Sequence, residues 1–190
     1  GFTLVEMIMV IVITGIIGGM VAMFIRAPVQ GYVDSARRAE MTDIADTALR
    51  RISRDLRLAL PNSVRVTGAC GGGGTCFIEF LPTQGGGRYR VDAGGTGDIL
   101  DFAVADNSFE VLGPVPVFGA ADSVVVYNLG IPGADAYAGL NRSAWRAATV
   151  GSIININAFL FPFDSPGHRF HIVSTPVTYV CNPVAGGLGG

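Results

Sequence analysis

From Phe2 to Ile25 the chain is apolar apart from Gly, Thr and one charged side chain, Glu6. At about 1.5 Å per residue, twenty-four positions make a helix of roughly 36 Å, longer than the ~30 Å hydrocarbon core of a bilayer. Such a helix satisfies its own backbone hydrogen bonds, which lipid does not do for it. Phe2, Leu4, Val5, Ile8, Ile11, Ile13, Ile16 and Ile25 are therefore read as a membrane anchor, closed by Arg26 at the interface. Pro28 and Gly31 interrupt the helical pattern just beyond it, so a kink or short loosening is expected there. Over 34–60 the apolar positions Met41, Ile44, Ala48, Leu49, Ile52, Leu56 and Leu60 recur three and four apart. That spacing predicts an amphipathic helix with one buried stripe. Arginines and carboxylates alternate on its other face, as a solvated surface with pairs such as Asp46–Arg50, and Pro61-Asn62 stops it.

Beyond Val64 the pattern changes to short runs of β-branched and aromatic residues bounded by Gly, Pro, Asn or Asp. These predict strands at 64–67, 76–81, 89–91, 99–104, 109–112, 124–129, 153–160, 169–173 and 177–181. The segment 143–150 reads as a short helical turn. The fold class expected is α+β: a long N-terminal helix packed on an antiparallel β-rich head. Its divisions are 1–25 (anchor), 26–60 (amphipathic continuation) and 61–190 (head).

Composition removes several functions. All thirteen basic residues are arginine and the net charge is −2, which argues against a general nucleic-acid surface. In the head, Arg88, Arg90, Arg142, Arg146 and Arg169 are scattered along the sequence. The glycines between Cys70 and Cys76 lack the Lys-Ser/Thr of a phosphate loop, and Gly94-Gly-Thr-Gly97 lacks the third glycine of a dinucleotide fingerprint. His168 and His171, three apart on one predicted strand, point to opposite faces and do not chelate one metal. Asp98, Asp101, Asp106 and Asn107 lack the alternation of a calcium loop. Ser123, Ser152 and Ser165 have no nucleophile-elbow context. No enzyme, metal, cofactor or small-molecule substrate is expected.

Glu6 has three readings: its carboxylate reaches the headgroups, it is protonated, or it pairs with a positive group of another subunit. The three cysteines fit an oxidising compartment. Cys70 and Cys76 flank a five-residue loop that a local disulfide closes easily; Cys76–Cys181 is the long-range alternative.

The opening Gly1-Phe-Thr-Leu-Val-Glu6 and the apolar run after it resemble the type IV prepilin signature. The resemblance implies cleavage between Gly1 and Phe2 by a prepilin peptidase, N-methylation of Phe2, and pairing of Glu6 with the Phe2 ammonium of a neighbouring subunit. The stretch RRISRDLRLALPNSVRV resembles minor pilins of the MshO type from the MSHA pilus, relatives of the J-type minor pseudopilins; FIEFLP and RFHIVSTPVTYVC extend the likeness more weakly. What this implies is a pilin-like fold and partnership with major and minor pilins and with an inner-membrane assembly platform. The implied location is a single pass in the inner membrane with a periplasmic head, then an extracellular pilus supporting adhesion. The alternatives are a periplasmic pseudopilus in type II secretion, or an adhesive or DNA-capturing tip. It also implies head sequence beyond Gly190 carrying a fourth cysteine.

Overall fold

Helix α1 runs from Leu4 to Leu56 without a break. It belongs to a computed structural model that describes residues 1, 3–71, 73–92 and 94–182. The helix is continuous through Pro28 and Gly31. Pro28 removes one N–H, so the Phe24 carbonyl loses its partner, but the helix propagates on both sides of that single loss. At the far end, Arg57, Leu58 and Ala59 donate to the carbonyls of Arg54, Asp55 and Leu56, three residues back. This tightening closes α1 four residues before the expected stop at Leu60.

The chain divides into two compact units, Gly1–Arg51 and Ile52–Gly190. In the first, every apolar side chain described is exposed, including Met41, Ile44 and Leu49 of the predicted stripe. In the second, Ile52 and Leu56 are half-buried and Leu60 is fully buried. The buried part of the stripe thus begins at Ile52.

The head is antiparallel throughout, so the fold class is α+β. One sheet has the order β1-β2-β9, built from Arg65–Gly68, Cys76–Phe80 and Val177–Cys181. The other has six strands in the order β3-β8-β5-β6-β7-β4. These are Thr83–Arg88 (β3), Asp106–Glu110 (β4), Ser123–Val126 (β5), Arg142–Val150 (β6), Ile153–Phe159 (β7) and Arg169–Val173 (β8). Alternation divides its side chains between two hydrophobic clusters. Val124, Val126, Phe170 and Ile172 join Tyr89, Phe109, Ile154 and Ile156 in the larger. Val125 and Val173 join Leu60, Leu81 and Ala136 in the smaller.

Three sequence readings fail here. The segment 143–150 is strand rather than a helical turn: β6 pairs with β5 and β7, and its Ala and Arg content yields to that pairing. The expected strands 89–91 and 99–104 do not form. Tyr89 makes only an isolated bridge with Val111. The Asp101 carboxylate accepts from the Ala103 and Val104 amides and turns the chain. Strand β3, with the sequence TQGGGR, had no propensity to announce it. Its glycines answer to space: a Cβ on Gly86 would sit 2.5 Å from the Phe170 carbonyl oxygen, and one on Gly87 2.9 Å from the Phe170 ring.

Candidate functional site

The first turn of α1 carries the residues singled out by sequence. Thr3 precedes the helix, and the Glu6 backbone N–H donates to its Oγ1 at 3.4 Å. Thr3 is therefore the N-cap and Glu6 the third helical residue, the Thr-x-x-Glu spacing of a capping box. This was legible in the sequence and was missed. A carboxylate there also meets the positive end of the helix dipole. Among the described residues the Glu6 carboxylate is exposed and has no ion-pair partner within the chain. Gly1 is exposed; Phe2, the predicted methylation site, lies outside the described residues.

Beyond Glu6, Leu4, Val5, Ile8, Ile11, Ile13, Ile16 and Ile25 are all more than half exposed. A helix apolar on every side needs lipid or other helices around it. By length and composition α1 is able to cross a membrane. Gly15 and Gly19, four apart, have nothing within 4 Å of a notional Cβ and leave one side of the helix bare. Further along, Asp46 and Arg50 form the expected pair at 2.7 Å. Both are exposed, so its contribution is about 0.3–0.5 kcal/mol.

In the head, Cys70 and Cys76 are joined by a disulfide, and Cys181 is free and exposed. Cys181 nevertheless lies directly across the β2–β9 ladder from Cys76. His168 is not on a strand: with φ at 55° it turns the chain into β8, where His171 sits. Its Nδ1 is 3.3 Å from Asp164. Burial, then the charge of Arg169, holds the His171 imidazole below its usual pKa.

The acidic residues near Gly94–Gly97 are occupied with one another's loops. Ser108 Oγ donates to Asp98 at 2.6 Å, and Asp106 accepts from the Asp101, Asn107 and Ser108 amides. Glu110 pairs with Arg90 at 2.5 Å and accepts from Ser152 Oγ at 3.1 Å. The Arg90 guanidinium is the main reason its carboxyl lies below the ordinary range. Arg90, Asp98, Glu110 and Ser152 line an open polar cleft of about 600 Å³. Ser152 there faces a carboxylate already paired with arginine, a poor base for activating it. Among the described residues no three His, Cys, Asp or Glu side chains gather as a metal site. Ser123, in β5, is buried, and the Ser165 amide donates to the Tyr89 hydroxyl at 2.8 Å. Comparison with protein-family models, curated proteins and solved structures gives no match.

Proposed function

We propose that this chain is a minor subunit of a type IV pilus of the MSHA kind, held in the inner membrane by α1 and then drawn into a filament. It is structural rather than enzymatic. The observation that carries the reading is the start of α1: from Leu4 to Ile25 the helix is apolar on every side, with one acidic residue three positions into it behind the Gly-Phe-Thr-Leu-Val-Glu opening. In lipid that side chain array is solvated; after extraction it needs neighbouring helices of the same kind. Glu6, already placed at the helix start by the Thr3 cap, offers its free carboxylate to the Phe2 ammonium of the next subunit. Two charges that are each costly in an apolar surrounding then offset one another only in the correct axial register. Prepilin peptidase, the other pilins and the assembly platform are the partners this requires.

The test has two parts. Mass spectrometry of the N-terminal peptide from sheared filaments should find a chain that starts at Phe2 and carries one added methyl group. The same peptide confined to the envelope would instead assign the chain to a secretion pseudopilus, and an uncleaved one everywhere would end the proposal. In parallel, Glu6→Ala should leave membrane insertion intact and reduce incorporation into filaments about tenfold, the effect of losing roughly 1.4 kcal/mol. Incorporation at the wild-type level would remove Glu6 from the assembly step.

A further inference from the structure

Three depressions on the head, of about 250, 310 and 450 Å³, adjoin one another because His171 lines all of them. Arg57, from the turn after α1, enters one; Arg88 of β3 and Arg169 of β8 enter another. No carboxylate lines any of the three. Arginines that the sequence spreads over more than a hundred positions are thus gathered on one surface.

Register makes this more than proximity. Arg88 and Arg169 are direct cross-strand partners, and Gly86 is opposite His171 on the same side of the ladder. Gln84, Gly86, Arg88 and Arg169 are exposed and His171 is half-buried, whereas Phe170 and Ile172 of the other side are buried in the core. Like charges directly opposite one another destabilise a sheet. Arg88 is nevertheless held there, its Nε donating to the Gly167 carbonyl at 3.2 Å. Neither arginine has an ion pair among the described residues.

The same place is also a sheet edge. Strand β3 ends the six-stranded sheet. The Tyr89 N–H donates back to His168, while the Arg88 carbonyl accepts from Leu112 on the opposite side. Backbone groups alternate in direction along a strand, so the Gly86 N–H and C=O share the direction of Arg88, away from β8. Gly86 has no side chain to shield them.

We infer that the β3 edge and its arginine-lined outer face are a docking site for an extended acidic polypeptide segment, which adds a strand beside Gly86 and places carboxylates on Arg88, Arg169 and Arg57. Bare backbone donors and acceptors select a peptide main chain. The unpaired arginines select acidic side chains and repel basic ones. A DNA backbone supplies phosphate acceptors but no donors for the Gly86 carbonyl.

The full chain in detergent micelles is titrated with a fluorescent short peptide alternating glutamate and valine. Binding should weaken with salt, and Arg88→Glu and Arg169→Glu should each weaken it about tenfold or more. Arg146→Glu makes the same charge change at an exposed position of β6 outside the depressions and should leave binding unaltered. N-methylation of the peptide backbone should abolish it. Retained affinity in both arginine variants, or in the N-methylated peptide, would overturn the site or the strand addition respectively. Tighter binding of oligothymidylate than of the peptide would make the surface a nucleic-acid site, and equal competition by inorganic phosphate would reduce it to a nonspecific anion site. Either result refutes the inference. Trp145 fluorescence of each variant verifies that the head is folded.

Discussion

Replacing Tyr89 by Phe removes one oxygen from the centre of the head. The side chain is fully buried; its hydroxyl donates to Asp164 and accepts from the Ser165 amide at 2.8 Å. Its ring packs against Phe102 and Phe109, contacts that Phe retains. The Asp164 side chain is half exposed and regains water when the hydroxyl is lost. The Ser165 amide does not, because Ser165 is buried. The cost is therefore that of one orphaned buried donor, about 1–3 kcal/mol. For a unit of this size each kcal/mol lowers the melting midpoint by roughly 2–4 °C, so a fall of roughly 2–12 °C is expected. Trp145 is the only tryptophan, lies on β6 and stacks on Phe118 at 5.6 Å. Its fluorescence during thermal and urea melts reports the head without interference from α1. The Ser165 amide should also exchange its hydrogen faster. An unchanged midpoint with unchanged exchange would refute the reasoning, since it would mean that the amide had another partner or that its burial is not costly.

Alkaline pH should destabilise the head. Burial first, then the nearby charge of Glu79, pushes the Tyr137 phenol up to about 12, and burial with the Asp164 bond raises Tyr89 further. In the unfolded chain both lose their protons near pH 10, so the unfolded state binds fewer protons above that value. Stability is then complete below pH 10 and falls as pH rises through 10 to 12. Tyr137→Phe should flatten that slope in urea melts; a slope unaffected by the substitution would reject the assignment. Gly87→Ala places a methyl 2.9 Å from the Phe170 ring and 3.2 Å from Val111, and should cost about 1–3 kcal/mol in the same melts. Gly95→Ala, with nothing within 4 Å, should stay within about 0.5 kcal/mol. Equal effects at the two positions would show that backbone freedom, not space, sets the requirement.

The helix was legible because its signal is long: an apolar run and a three-and-four spacing each extend over many turns. β8 and β9 were read to the residue, since Arg169–Val173 and Val177–Cys181 are rich in β-branched and aromatic side chains between turn residues. β3 was not, because Gly85–Gly87 form a strand only through their fit against Phe170 and Ile172, far away in sequence. β6 was misread for the related reason that Trp145 takes its direction from its partner Ile156. The surface around His171 had no local signature at all. Arg57, Arg88 and Arg169 become neighbours only when α1 ends beside β3 and β3 lies on β8. The Thr3 cap on Glu6 is the opposite case, a signal of four adjacent residues overlooked because the apolar run dominates them.

Cys76 stands between two sulfurs, bonded to one and facing the other across the ladder. A thiolate at Cys181 that attacks the Cys76 sulfur forms Cys76–Cys181 and expels Cys70 as the new thiolate, so the exchange needs neither oxidant nor reductant. The two products are covalent isomers of identical mass. In one, strand β9 is held to the head without a covalent link, by its ladder with β2 and the stacking of Tyr179 on Phe80; in the other it is stapled, and the loop between Cys70 and Cys76 loses its closure instead. Which end of the small sheet is locked is then set by the relative stability of the two isomers, visible in disulfide-linked peptides and invisible in the mass of the intact chain.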